Sequence, residues 1–222
     1  MNYFTKELAA FLKNLEKNNN RDWFDANKPT YESAVKDPFY RFVSDWLELI
    51  HKEFPLIHLD PKEAIFRIHK DVRFSKDKTP YKTQVSALVT EKGRKGMDLP
   101  GFYLEITAKG AALYSGMYMP NAKQLQALRK HIIYNEEEFT ALKKDKAFVK
   151  IFKEVGGEKN KVLAAEFKEH ADRIPELYNK QFIFQREWTF DEVLDKKFMN
   201  QLMEACKAAW PMSTFLSEGV II

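Results

Sequence analysis

The chain has 222 residues, of which 45% are hydrophobic, 31% charged and 14% aromatic. A chain this apolar can bury enough surface to offset its ordering entropy, which excludes a disordered protein. No apolar run approaches the ~20 residues of a membrane-spanning helix, and a net charge of +4 is too small, averaged over the chain, to mark a polyanion-binding protein.

The N-terminus turns amphipathic at once and lacks the basic start, apolar stretch and cleavage site of a signal peptide, so a cytoplasmic location is expected. Leu8, Phe11, Leu12 and Leu15 follow helical spacing after a Thr5 cap, predicting a first helix that ends near Asn18-Asn19-Asn20. A second helix is expected from about Pro38 to just before Pro55, with Phe39, Phe42, Val43, Trp46, Leu47 and Ile50 as its apolar stripe. Trp23, Phe24 and Tyr31 are expected to anchor the N-terminal helices to the core.

From about residue 64 the period changes to two. Ile65–Phe74, Thr83–Val89, Phe102–Thr107 and Ala112–Met119 then read as strands. Helices return after Asn121. Asn135 with Glu138 suggests a capping box, and Gly156-Gly157 a helix end after Phe148–Phe152. Phe182–Trp188 is expected to add a short strand. Thr189 with Glu192 forms a second capping box, with Trp188 and Val193 as its staple, before a long helical region that Trp210-Pro211 should interrupt. Cys206, the only cysteine, precludes an intrachain disulfide and reads as a packed helix thiol. The pattern is that of one α+β domain over residues 1–222, with a largely antiparallel sheet flanked by N- and C-terminal helices. Residues 1–60 would be helical, 64–119 the sheet core and 121–222 mostly helical.

The most informative segment runs Ile65-Phe66-Arg67-Ile68-His69-Lys70-Asp71-Val72-Arg73-Phe74-Ser75-Lys76-Asp77-Lys78-Thr79-Pro80-Tyr81-Lys82-Thr83. Extended over Phe66–Phe74, it places Phe66, Ile68, Val72 and Phe74 on one face and Arg67, His69, Asp71 and Arg73 on the other. Ser75–Pro80 has the composition of a loop. Between Lys62 and Lys82 there are seven basic and three acidic residues, which accounts for the whole net charge.

The stretch Arg67–Lys82 resembles the signature of the DUF2461 family. Supporting matches are Asn19-Asn20-Arg21-Asp22-Trp23-Phe24 with Asn27 and Tyr31, and Ser115-Gly116-Met117-Tyr118-Met119-Pro120. The chain departs from the family pattern at Ser115, where a further glycine is expected, and around His170–Tyr178. The resemblance carries no activity with it.

The same alternation in the neighbouring strands gathers Arg67, His69, Asp71, Arg73, Gln84, Ser86, Tyr103, Glu105, Tyr114 and Tyr118 on one polar sheet face, if the apolar sets share the other. Such a face is either a solvated surface with cross-strand ion pairs or a ligand site. Two arginines around His and Asp favour a site for a small phosphate- or carboxylate-bearing ligand. Arg67 and Arg73 would clamp the anion, Lys76, Lys78 and Lys82 would add charge, and Tyr103, Tyr114 and Tyr118 would form walls. If the protein is an enzyme, His69 is the first acid–base candidate, oriented by Asp71, and Glu105 the second; the sequence names neither a reaction nor a cofactor.

The alternative is a non-enzymatic module that binds nucleic acid or a protein through the basic loop. Against the nucleic-acid form, Phe66 and Phe74 alternate away from Arg67 and Arg73, whereas single-strand readers show aromatics and cations on one surface. Lys92-Gly93-Arg94-Lys95-Gly96 is a basic loop that such a module could use to touch phosphates, but its default reading is a solvated hairpin tip, and it is no P-loop. The five histidines show no metal-ligand spacing; Glu166 and His170, four apart, read as surface neighbours. No nucleophilic hydrolase motif is present.

Overall fold

In the computed structural model, which describes residues 2–73 and 75–220, the Thr5 hydroxyl accepts from the Glu7 amide and opens α1 (Lys6–Lys17). Leu8, Phe11, Leu12 and Leu15 are buried along its one apolar face, as their spacing requires. Asn18 closes α1, and the Asn20 side chain accepts from the Trp23 amide at 2.9 Å to open α2 (Arg21–Ala26). α3 (Lys28–Tyr31), a π turn over Glu32–Lys36 and α4 (Asp37–Glu53) follow, and the whole expected stripe of α4 is buried. A capping box between Asp60 and Glu63 sets the one-turn α5 (Pro61–Ala64).

Four strands, β1 (Gln84–Val89), β2 (Phe102–Thr107), β3 (Gly110–Met117) and β4 (Phe182–Thr189), form an antiparallel sheet in the order β1-β2-β3-β4. β2 shows the expected alternation most cleanly, with Phe102, Leu104 and Ile106 buried and Tyr103, Glu105 and Thr107 half-buried. Gly116 has φ +101°, and a Cβ there would lie 2.2 Å from the Phe182 carbonyl oxygen, so β3 and β4 meet at a position only glycine fits. Ser115, the departure from the family pattern, is buried and donates from Oγ to the Gly101 carbonyl at 2.7 Å.

Helices α6 (Ala122–Tyr134), α7 (Glu136–Lys144), α8 (Lys146–Phe152) and α9 (Ala165–Lys168) lie between β3 and β4, and α10 (Phe190–Leu194) and α11 (Phe198–Glu218) follow β4. The Thr189–Glu192 capping box forms, with Trp188 and Val193 buried beside it. Cys206 is buried on α11. Among the described residues no helix is long and apolar enough to cross a membrane.

Four expectations are corrected. Ile65–Phe74 is not a strand: it makes only the single bridges Ile65–Ala87 and His69–Tyr81, while Phe74 lies outside the described residues. Asn135 caps nothing at the start of α7. Its side chain donates back to the His131 carbonyl at 2.9 Å and closes α6, whose own capping box is Asn121 with Gln124. α8 ends at Lys153 with φ +69° rather than at the glycine pair, and Gly156 instead exchanges backbone hydrogen bonds with Ile183 of β4. α11 runs unbroken through Pro211; Ala209, Met212, Phe215 and Leu216 are buried around it, and this packing offsets the one missing N–H donor.

Packing divides the chain into two compact units, each discontinuous in sequence. The first comprises Met1–Arg94, Tyr103–Leu113 and Glu187–Met203; the second comprises Lys95–Phe102, Tyr114–Arg186 and Glu204–Ile222. In the first, Phe42 packs edge-on to Tyr3 and stacks on Phe198, with ring centroids 5.2 and 5.5 Å away. In the second, Phe148, Phe152 and Phe184 form a triangle of rings 5.0–5.4 Å apart, and Phe139 stacks on Phe215 at 5.7 Å.

Candidate functional site

The signature segment lies in the first unit and is held at its end by the asparagine run. Asn19 donates from Nδ2 to the Tyr81 carbonyl at 2.9 Å and accepts from the Tyr81 amide at 3.0 Å, so one side chain satisfies both backbone groups as a neighbouring strand would. Phe24 stacks on the Tyr81 ring at 4.0 Å and 13°, and Phe11 and Tyr31 close around Phe24. Trp23 packs on Phe11 at 5.5 Å. The family-like residues of the N-terminal helices therefore fix the position of Tyr81, and with it the start of the chain that carries Lys82.

Ile65–Lys70 runs antiparallel to Pro80–Ala87, but out of step. The Phe66 amide donates to Ser86 and the Lys82 amide to Ile68, so Arg67 alone faces the three residues Thr83–Val85. This bulge interrupts the ladder and re-aims the side chains beside it. Outward alternation survives, with Arg67, His69, Asp71 and Arg73 all exposed and Ile68 buried. Phe66, however, is not core. Its half-buried ring lies edge-on to Tyr103 with centroids 6.0 Å apart, and Lys82 Nζ stands 4.8 Å from its centroid.

A second cation reaches this ring from the segment read as a hairpin tip. Gly93 has φ +53°, and a Cβ there would lie 2.6 Å from the Glu63 carbonyl oxygen, so the short 3₁₀ turn Gly93–Lys95 rests directly on α5. Arg94 thereby donates from Nη1 to the Ile65 carbonyl, and its guanidinium sits 6.0 Å from the Phe66 ring centroid. Burial, and then the charges of Arg67 and Arg94, push the Lys82 ammonium below its ordinary pKa. Among the described residues none of Arg67, Lys82 and Arg94 forms an ion pair with a carboxylate.

Beside this trio, Gln84 and Ser86 of β1 lie next to Tyr103 and Glu105 of β2. Tyr103 donates to Glu105 at 3.2 Å and hydrogen-bonds with Ser86 and Gln84. Burial, with Glu105 adding to it, pushes the Tyr103 phenol up to about 12, against the opposing pull of Ser86 and Gln84. It is a donor at neutral pH, not a base.

Other sequence candidates are engaged elsewhere. Arg73 grips Asp71 with both edges, at 2.9 Å from Nε and 2.7 Å from Nη2, so the Asp71 carboxylate does not orient His69 and Arg73 does not join Arg67 in a clamp. Its hydrogen bonds to Arg73 hold the Asp71 carboxyl down at about 2. His69 is exposed, with its ring 5.1 Å from that of Tyr81. Lys70 and Thr79 gather on Asp77, holding its carboxyl well below the usual range, and Lys78 donates to the Val72 carbonyl at 2.9 Å. Lys76 is exposed. Tyr114 and Tyr118 belong to the second unit, Tyr114 half-buried on β3 and Tyr118 exposed beyond its end. Glu166 pairs with Lys130 at 3.6 Å, and His170 contacts Glu169 and Arg173. Among the described residues no cluster of His, Cys, Asp and Glu could hold a metal.

Sequence inspection missed Arg94. The signal was Gly93, a glycine ahead of two cations in a tip otherwise taken as solvated. No curated protein matches the chain. The family model described as conserved hypothetical protein, DUF2461, matches residues 7–215. That span includes the asparagine run, the bulged signature, Gly93-Arg94 and the Ser115-Gly116 pair of β3, and the chain belongs to the DUF2461 family.

Proposed function

We propose that Arg67, Lys82 and Arg94, with the polar groups of Gln84, Ser86 and Tyr103 beside them, bind a small anion bearing phosphate or carboxylate. The observation that carries this is two cations, Lys82 and Arg94, at one half-buried aromatic ring, with Arg67 close enough for its charge to act on Lys82, and none of the three with a carboxylate partner among the described residues. Like charges held together repel, and a bound anion relieves that repulsion. The rest of the basic segment argues for a small ligand rather than a polyanion. Arg73 and Lys70 are neutralised by Asp71 and Asp77, and Lys78 is tied to a backbone carbonyl.

The test is thermal unfolding in phosphate, pyrophosphate and citrate against chloride at matched ionic strength. Ligand binding raises the midpoint with concentration. The expected result is a rise with at least one of these anions that is abolished by Arg67→Gln combined with Arg94→Gln; equal midpoints in all four salts contradict it.

One observation favours a second reading. Phe66 shares its surface with Lys82 and Arg94, the combination by which single-stranded nucleic acid is held. Polynucleotide affinity falling steeply with salt, and lost with Arg67 and Arg94, would replace the small-anion reading.

A further inference from the structure

Lys82 differs from an ordinary anion-binding lysine. Its stem is half-buried, its amine stands over the Phe66 ring, and among the described residues the amine has neither a hydrogen-bond acceptor nor a carboxylate. The two charges that act on it belong to arginines, which cannot give up a proton. Of the three cations, Lys82 alone can relieve the repulsion by deprotonation. A lysine beside other cations on an apolar surface is the usual way in which an amine nucleophile is activated.

We propose that Lys82 is a nucleophilic amine that forms an imine with an aldehyde or ketone whose anionic group is held by Arg67 and Arg94. This rests on the anion-site reading and names its substrate class. The neutral amine nitrogen attacks the carbonyl carbon, the C=O π pair moves to oxygen, and that oxygen takes a proton from solvent. The carbinolamine then loses its hydroxyl as water and the nitrogen its remaining protons, leaving C=N; the net change is amine plus carbonyl to imine plus water, with no oxidant or reductant. Tyr103, edge-on to the Phe66 ring with its phenol pushed up to about 12, stays protonated and does not compete as a nucleophile.

The full chain is incubated with propanal, which is neutral, or glyoxylate, which carries a carboxylate, in the presence of cyanoborohydride. Labelling is then mapped by peptide mass spectrometry, with exposed Lys76 as the internal reference. The expected result is Lys82 labelled several-fold faster than Lys76 by propanal, with a further gain for glyoxylate that Arg67→Gln combined with Arg94→Gln removes. Labelling of Lys82 no faster than Lys76 with both reagents overturns the proposal. If no anion shifts the midpoint yet Lys82 still leads with propanal, the anion site fails and the activated amine stands.

Discussion

Asp71 and Arg73 show how a sequence pattern and its chemistry separate at the level of single residues. Two-residue alternation correctly brings His69, Asp71 and Arg73 to one side, but Arg73 is two residues from Asp71 and its planar fork takes both carboxylate oxygens. Among the described residues no hydrogen bond joins Asp71 to His69, whose ring packs instead near Tyr81. Because the folded carboxyl sits near 2, below its unfolded value of about 4, this pair supports the folded state above pH ~4, and that support is lost as pH falls toward 2. Carbon-13 NMR titration should place the Asp71 midpoint near 2, and Arg73→Ala should return it toward the ordinary carboxylate value. A midpoint unchanged by that substitution would show the pair to be absent in solution.

The elements formed where local pattern and packing agree. The stripes of α1 and α4, the alternation of β2 and the Thr189 box were all legible because each depends on residues close in sequence. The segment after Ile65 was not, because a bulge is set by its partner strand, and nothing in Arg67 announces that it will face three residues. For the same reason Arg67, Lys82 and Tyr103 of the proposed site could be picked out individually, whereas Arg94 required knowing that Gly93 approaches Glu63. Asn135 misled because an asparagine between two helices can close the first as readily as it opens the second. The Gly93 contact gives a prediction at this scale. Gly93→Ala forces a Cβ to 2.6 Å from a carbonyl oxygen at positive φ, so the turn must shift and take Arg94 with it. Anion-induced thermal shifts should shrink several-fold although residue 93 itself has no side chain to touch a ligand, whereas an unchanged shift would detach Arg94 from the site.

At the scale of the whole molecule, the covalent chain passes between the two compact units five times, and β2 and β3 each contribute residues to both. Neither unit is a segment that could be excised. We therefore expect one cooperative transition, in which near-ultraviolet and far-ultraviolet circular dichroism change at the same denaturant midpoint; separated midpoints would instead mark two independently folding domains. The charge balance also gains a location. Of the seven basic residues in Lys62–Lys82, Lys70 and Arg73 are paired with Asp77 and Asp71 within the segment, while Arg67 and Lys82 act together with Arg94, outside it.

The most direct test of the anion site is a crystal structure of the protein soaked in tungstate, a phosphate-shaped anion located by its anomalous signal. The account predicts tungstate bound by the guanidinium groups of Arg67 and Arg94 and the Lys82 amine beside the Phe66 ring. Tungstate absent from these three at saturating concentration, or bound only at Lys76 in the exposed loop, would contradict it.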